Sequence, residues 1–255
     1  MTVFRLVLIL LFMGQAGSAL AERLVTDLSE RQIAITSNFR GTTLLIFGAV
    51  QEGSVFEGGL ADNDIVIVVR GPAHDLVVRK KERVAGIWVN KDAVTFADVP
   101  GYYAVASNRP LSRIAEPDLL DRIGIGLDHL SFKVEKSDVP EDMIPAFREA
   151  IIRQQKNALL FLSTERGVTL LAQTLFRANL MFPANVPVGD YRVEVYLLKD
   201  GRIVSAQSSP LSINKTGIER GLYTLAHEAS YLYGILAVGL AVLTGWVAGL
   251  VFRAR

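Results

Sequence analysis

Between Leu24 and Ser107 apolar residues come in short alternations and runs, cut every few positions by Ser, Asn, Gly or Pro. That pattern predicts strands and turns. Ile33 and Ile35 alternate with polar neighbours, Ser37-Asn38-Phe39-Arg40-Gly41 reads as a turn, and Thr42 to Phe47 is a β-rich run. After a loop from Gln51 to Asn63, Asp64 to Arg70 is strongly β-branched, and Gly71-Pro72 ends it. Asp75 to Arg79 and Val84 to Asn90 read as strands around a charged hairpin tip at Lys80-Lys81-Glu82-Arg83. Ala93 to Phe96 and Tyr102 to Ser107 follow. Roughly six or seven short strands with frequent turns predict a mainly β, Ig-like, sandwich-type region over residues 22–110.

The period changes after Arg109-Pro110. Leu119, Leu120, Ile123 and Leu127 fall along one face of a short helix that Gly124 and Gly126 weaken. A second helix is expected from Ser137-Asp138, with Pro140 just inside and Glu141 and Asp142 in its first turn, where they favour the exposed N–H groups. Ile144, Phe147 and Ile151 give that helix its apolar face, so residues 111–166 read as a helical connector or insert. A second β unit is expected over 167–213. There Tyr191, Val193, Val195 and Leu197 share a face, and Asp200-Gly201 is the pair a tight hairpin favours. The two β stretches are either separate Ig-like units or halves of one sandwich, and length permits both.

Thr216 with Glu219 resembles a capping box, which predicts a juxtamembrane helix over 214–230. It leads into residues 231–252, which carry no charge and are long enough to span a bilayer as a helix. Tyr231 and Tyr233 sit at one end and Trp246 near the other, with Arg253 and Arg255 beyond; arginine prefers the cytoplasmic side and aromatics the interfaces. Ala237, Ala241, Gly245 and Gly249 recur every four residues, a stripe that admits a second helix and also occurs in spans that only anchor. Residues 1–21 have Arg5, an apolar run and Ala19-Leu20-Ala21, the order of a secretory signal peptide. The expected protein is therefore anchored in a membrane by its C-terminal span, with its body exported and residues 253–255 as a cytoplasmic tail.

Charge and composition narrow the function classes. The 26 acidic residues all follow Ala21, and removing Arg5, Arg253 and Arg255 leaves 24 basic ones, so the body is nearly neutral and lacks the basic field that nucleic-acid binding needs. Cysteine is absent, which excludes thiol nucleophiles, thiol exchange and Cys-ligated metals.

Candidate chemistry is sparse. His74, His129 and His227 fall in no metal-spaced motif, and Gly53, Gly58 and Gly59 lack the spacing and lysine of a phosphate cradle. Asp62 and Asp64 share a strand face, yet no loop supplies the other oxygens calcium requires. No catalytic residue, metal or cofactor is expected. Interaction residues are the better candidates. Phe39 and Arg40 are an aromatic and a guanidinium on one turn, although the Phe of such a turn also commonly folds inward. His227, Tyr231 and Tyr233 stand where the chain enters the membrane, and Arg109 and Arg113 lie where they would brace the β and helical parts.

Asp27-Leu28-Ser29, Asn38-Phe39-Arg40-Gly41-Thr42, Leu175-Phe176-Arg177, Pro183 to Tyr191, Gly217-Ile218-Glu219-Arg220 and Ala226-His227-Glu228 together resemble a family of transmembrane proteins of unknown function found mainly in alphaproteobacteria. The resemblance covers nearly all of the chain after residue 21. It implies an exported domain with one C-terminal span, encoded in some genomes near a sulfite or organosulfur exporter, and it supplies no catalytic residues. The leading expectation is an accessory or interaction module docking laterally with another inner-membrane protein, a transporter being one candidate. The alternative is a periplasmic small-molecule binding module, and a hydrolytic enzyme ranks third.

Overall fold

The computed structural model describes residues 23–51, 63–172, 174–216, 226–227 and 230–253. The expected signal peptide, the 52–62 loop with its glycines and Asp62, Glu219 of the capping box and Arg255 lie outside these residues. In chain order the body runs through β1 (Arg23–Leu28), β2 (Gln32–Ile35), β3 (Gly41–Gln51), β4 (Asp64–Arg70), β5 (Ala73–Val84), β6 (Ile87–Pro100) and β7 (Tyr103–Ser107). Then come α1 (Leu111–Ile114), α2 (Pro117–Ile123), β8 (Lys133–Ser137), a 3-10 turn (Glu141–Met143) and α3 (Ile144–Asn157). The chain returns through β9 (Phe161–Thr164), β10 (Val168–Leu170), β11 (Leu175–Pro183), β12 (Gly189–Lys199) and β13 (Arg202–Lys215), and α4 (Ser230–Arg253) follows.

Strands from both β stretches interleave. One sheet has the order β1-β3-β11-β10 and a second the order β2-β13-β12-β4-β7-β9, so residues 167–213 pair with residues 22–110 and do not form a sheet of their own. Alternation along β11 and β12 explains the layer between them. Phe176, Ala178, Leu180 and Phe182 from the first sheet meet Tyr191, Val193, Val195 and Leu197 from the second, all buried in one core with Leu44, Ile46, Ile65 and Ile67. Tyr102 stacks on Phe182 at 4.8 Å inside it.

The uniform apolar run of β4 has a different cause. Its alternate residues Val66 and Val68 point to a second core on the far side of the six-stranded sheet, where Tyr103, Leu120, Ile125, Phe147, Ile151 and Phe161 converge. The insert thus covers that face, with β8 extending the hairpin of β5 and β6 into a three-stranded sheet. Among the described residues the result is a mainly β domain with a helical insert and one C-terminal helix long and apolar enough to span a membrane.

Three local expectations are corrected. The hairpin tip is Ala85-Gly86, not Lys80–Arg83, because positive φ at both residues (51° and 89°) makes the tight two-residue turn whose twist suits paired strands. The four charged residues continue β5. Ser137 does not begin α3: it ends β8, and its Oγ donates to Val139 O and accepts from Val139 N, so the regular helix begins only after the 3-10 turn. Asn214 and Lys215 are not helical, since β13 runs in parallel register with β2 as far as Lys215–Ile35.

Candidate functional site

A cleft of about 1080 Å³ opens where the ends of β4, β12 and β13 meet α2 and Phe132. Arg70, at the end of β4, dominates its floor. Its guanidinium is paired with Glu194, donates to Ile123 O and Gly124 O at 3.0 Å each, and lies 5.9 Å from the Tyr103 ring centre. Tyr103 is itself committed: its hydroxyl donates to Gly124 O and accepts from Gly126 N. Burial pushes its phenol up to about 12, against the smaller opposing effects of Gly126 N–H and Arg70. Both groups therefore brace the insert to the sheet. Among the cleft's exposed lining residues Arg122 and Arg192 stand against Asp98, Asp121 and Asp190, so neither sign strongly dominates. His129 Nδ1 lies 2.6 Å from Asp121 Oδ1 there.

Asp64 is buried and held by Arg109, whose Nε donates to Oδ1 at 2.7 Å and whose Nη2 reaches Oδ2. This bidentate pair joins the start of β4 to the end of β7. Among the described residues no group of three or more His, Cys, Asp or Glu could hold a metal ion.

The residues expected at interfaces separate into three places. Phe39 is half-buried and packs against the main core, whereas Arg40 is exposed, as are Ser37 and Asn38 of the same turn. His227 is helical and exposed, and Tyr231 and Tyr233 stand exposed on the first turns of α4. Further along α4, Ala237, Ala241, Gly245 and Gly249 are exposed, and a Cβ built at either glycine meets nothing within 4 Å. Thr244, the one aliphatic hydroxyl of residues 231–252, donates to Leu240 O at 2.8 Å, which satisfies it without water.

A further surface was missed. The outer face of the four-stranded sheet, opposite the main core, carries an apolar row across three strands: Val25 pairs with Ala49, Ala49 with Leu175, and Leu171 bonds back to Leu175 O. Phe47 lies on the same face one row along, 43% exposed, with Met181 further down β11. The signal was present in the sequence. Leu45 and Phe47 alternate out of phase with Leu44 and Ile46, and a strand apolar on both phases announces two faces to be covered.

Residues 23–254 match the model of a family described as "Putative transmembrane protein (Alph_Pro_TM)". Comparison with curated proteins gives no match.

Proposed function

Because the chain belongs to the Alph_Pro_TM family of transmembrane proteins, we propose that it is a membrane-anchored accessory module whose Ig-like body docks another inner-membrane protein. The observation that carries this reading is the uncovered apolar face at Val25, Phe47, Leu171 and Leu175. Contiguous exposed apolar surface on a folded body marks a surface that a partner covers. A transporter is the proposed class of partner, and the span's small-residue stripe is the proposed lateral contact within the bilayer.

Strand order supports the Ig-like part of the reading. Lettered as in immunoglobulin domains, β1-β3-β11-β10 has the order A-B-E-D, and β13-β12-β4 has the order G-F-C with β7 added beside C. Tyr191 near the start of β12 donates to Pro187 O at 2.5 Å, four residues upstream, which is the bonding of a tyrosine corner at the E–F connection. Arg253 and Arg255 after the span, with the signal-like residues 1–21 before the body, support a periplasmic body and a cytoplasmic tail. The alternative, a small-molecule binding module, finds less support. The cleft is open, and the guanidinium on its floor already has four partners.

A photo-crosslinking residue in place of Phe47 tests the proposal in native membranes. A defined crosslinked species containing another inner-membrane protein is expected, with none from the same residue placed at Arg192 on the cleft rim. Crosslinking from Arg192 alone, or a protein that stays solitary from every position, overturns it.

A further inference from the structure

The distal half of the β5–β6 hairpin has no packing of its own. Residues 79–91 are all exposed, whereas Val94, Phe96 and Val99 nearer the body are buried. β8 pairs only as far out as Val94, so beyond that point two strands stand without a third. An isolated two-stranded ribbon is marginal in water. Yet this one ends in apolar residues. Val84, Ile87 (66% exposed), Trp88 (69% exposed) and Val89 surround the Ala85-Gly86 turn, and a Cβ built at Gly86 meets nothing within 4 Å.

Behind the tip the chemistry reverses. Arg79, Lys80, Lys81, Arg83 and Lys91 stand against Glu82 and Asp92. Lys91 is bonded to Glu82 at 3.0 Å; among the described residues the other four cations have no carboxylate in salt-bridge range.

We infer that this hairpin is a second membrane contact, which seats Ile87, Trp88 and Val84 at the interface of an anionic phospholipid bilayer while Lys80, Lys81 and Arg83 meet the phosphates. Three features favour lipid over a protein groove. Register puts Val84 and Ile87 on one face of the ribbon and Trp88, opposite Arg83, on the other, so the apolar surface wraps the end of the hairpin. A groove covers one face; a bilayer entered end-on covers both. Spacing also fits. Lys81 and Lys80 lie three and four residues behind Val84, about 10–13 Å along a strand, so with the tip seated about 5–10 Å deep their long side chains are left at the level of the phosphates. Tryptophan is favoured at that boundary, and each cation near an anionic surface strengthens binding about fivefold.

The bilayer is moreover already present. α4 holds the chain in it, and the segment from Lys215 to Ser230 reaches at most about 50 Å when extended, so the tip faces a high effective concentration of lipid. The inference needs the span and holds for either orientation of the body. It is independent of any partner at the Phe47 face.

The test uses the full chain carrying Trp246→Phe, which leaves Trp88 as the single tryptophan, reconstituted in phosphatidylcholine vesicles with and without phosphatidylglycerol. Expected is a blue-shifted Trp88 emission that bromine-labelled phospholipid quenches, more strongly with phosphatidylglycerol and less at high salt. Ile87→Asp, or Lys80→Gln with Lys81→Gln and Arg83→Gln, should each remove most of the quenching while the melting temperature stays unchanged, since none of these side chains is buried. Trp88 equally open to acrylamide in detergent and in vesicles, with no bromolipid quenching, overturns the inference. So does Trp88 shielded from acrylamide yet untouched by bromolipid, which would mean that a protein surface covers it.

Discussion

β4 in the six-stranded sheet and β3 in the four-stranded sheet are both apolar in both phases, and they end in different surroundings. Along β4, Ile65, Ile67 and Val69 face the main core while Val66 and Val68 face the insert, and all five are 1% exposed or less. Along β3, Leu44 and Ile46 face the same main core, but Phe47 on the opposite phase looks outward beside Asp27 and Arg177. The first strand has its second layer in the same chain. The second has none among the described residues, and the same kind of sequence therefore reads as a finished core in one sheet and as an unfilled face in the other.

The strongest way to break that comparison is to empty the second core of the six-stranded sheet. Phe96 is 1% exposed and meets the Phe132 ring edge-on at 6.2 Å. Phe96→Ala removes a full aromatic from a site enclosed by β6 and the insert, and should cost about 3–5 kcal/mol. Urea unfolding of the detergent-solubilised protein measures it. A loss below about 1 kcal/mol would mean that the insert packs loosely and that the six-stranded sheet, too, has an open face.

A somewhat smaller effect comes from pH. The phenol of Tyr103 lies between sheet and insert, and burial raises it from 10.0 to about 12. A raised folded value favours the neutral form, so its contribution is intact below about pH 10 and disappears as pH climbs through about 12, a change on the order of 2–3 kcal/mol. Tyr102 and Tyr191, also raised by burial from 10.0, add in the same direction from about pH 10, and their loss continues to still higher pH. Far-UV circular dichroism against urea at stepped pH should show stability falling from about pH 10 upward, with a shallower fall in Tyr103→Phe. A flat profile to pH 12 would mean that the phenol reaches water and the insert is not sealed onto the sheet.

Much of the architecture was legible because it rests on local rules. The 3.6-residue spacing of Phe147 and Ile151, the period-2 face of Tyr191 to Leu197, and the Asp200-Gly201 turn each appear as read, the turn with φ of 50° and 74°. The Ala85-Gly86 turn has the same handedness but carries a weaker signal, because alanine lacks the side-chain oxygen that makes Asp or Asn tolerant of positive φ. Charge at Lys80–Arg83 does not mark a tip, since loops and exposed strands are equally polar. What no local rule supplies is which strands neighbour one another. The pairing of β3 with β11, separated by more than a hundred residues, decides that Phe47 and Leu175 share a face, and no period in either segment encodes it. That β3 has a second apolar face was legible, but which residues of β1 and β11 join Phe47 on it was not, whereas the span was readable from its own segment alone.

The smallest expected effect on stability sharpens the comparison most. Phe47→Ser removes an exposed side chain from the centre of a strand whose core-facing residues are untouched, so the extracted protein should change by no more than about 0.5 kcal/mol. If a partner covers that face in the native membrane, it stabilises the folded state by mass action, and the unaltered protein should melt higher in native membranes than in nanodiscs of the same lipid. Nanodiscs keep the bilayer in both measurements, so any contact of the hairpin tip with lipid cancels. In Phe47→Ser the two melting temperatures should converge. A large loss of stability in the extracted protein would instead make Phe47 part of the body's own packing, and the four-stranded sheet would need no cover at all.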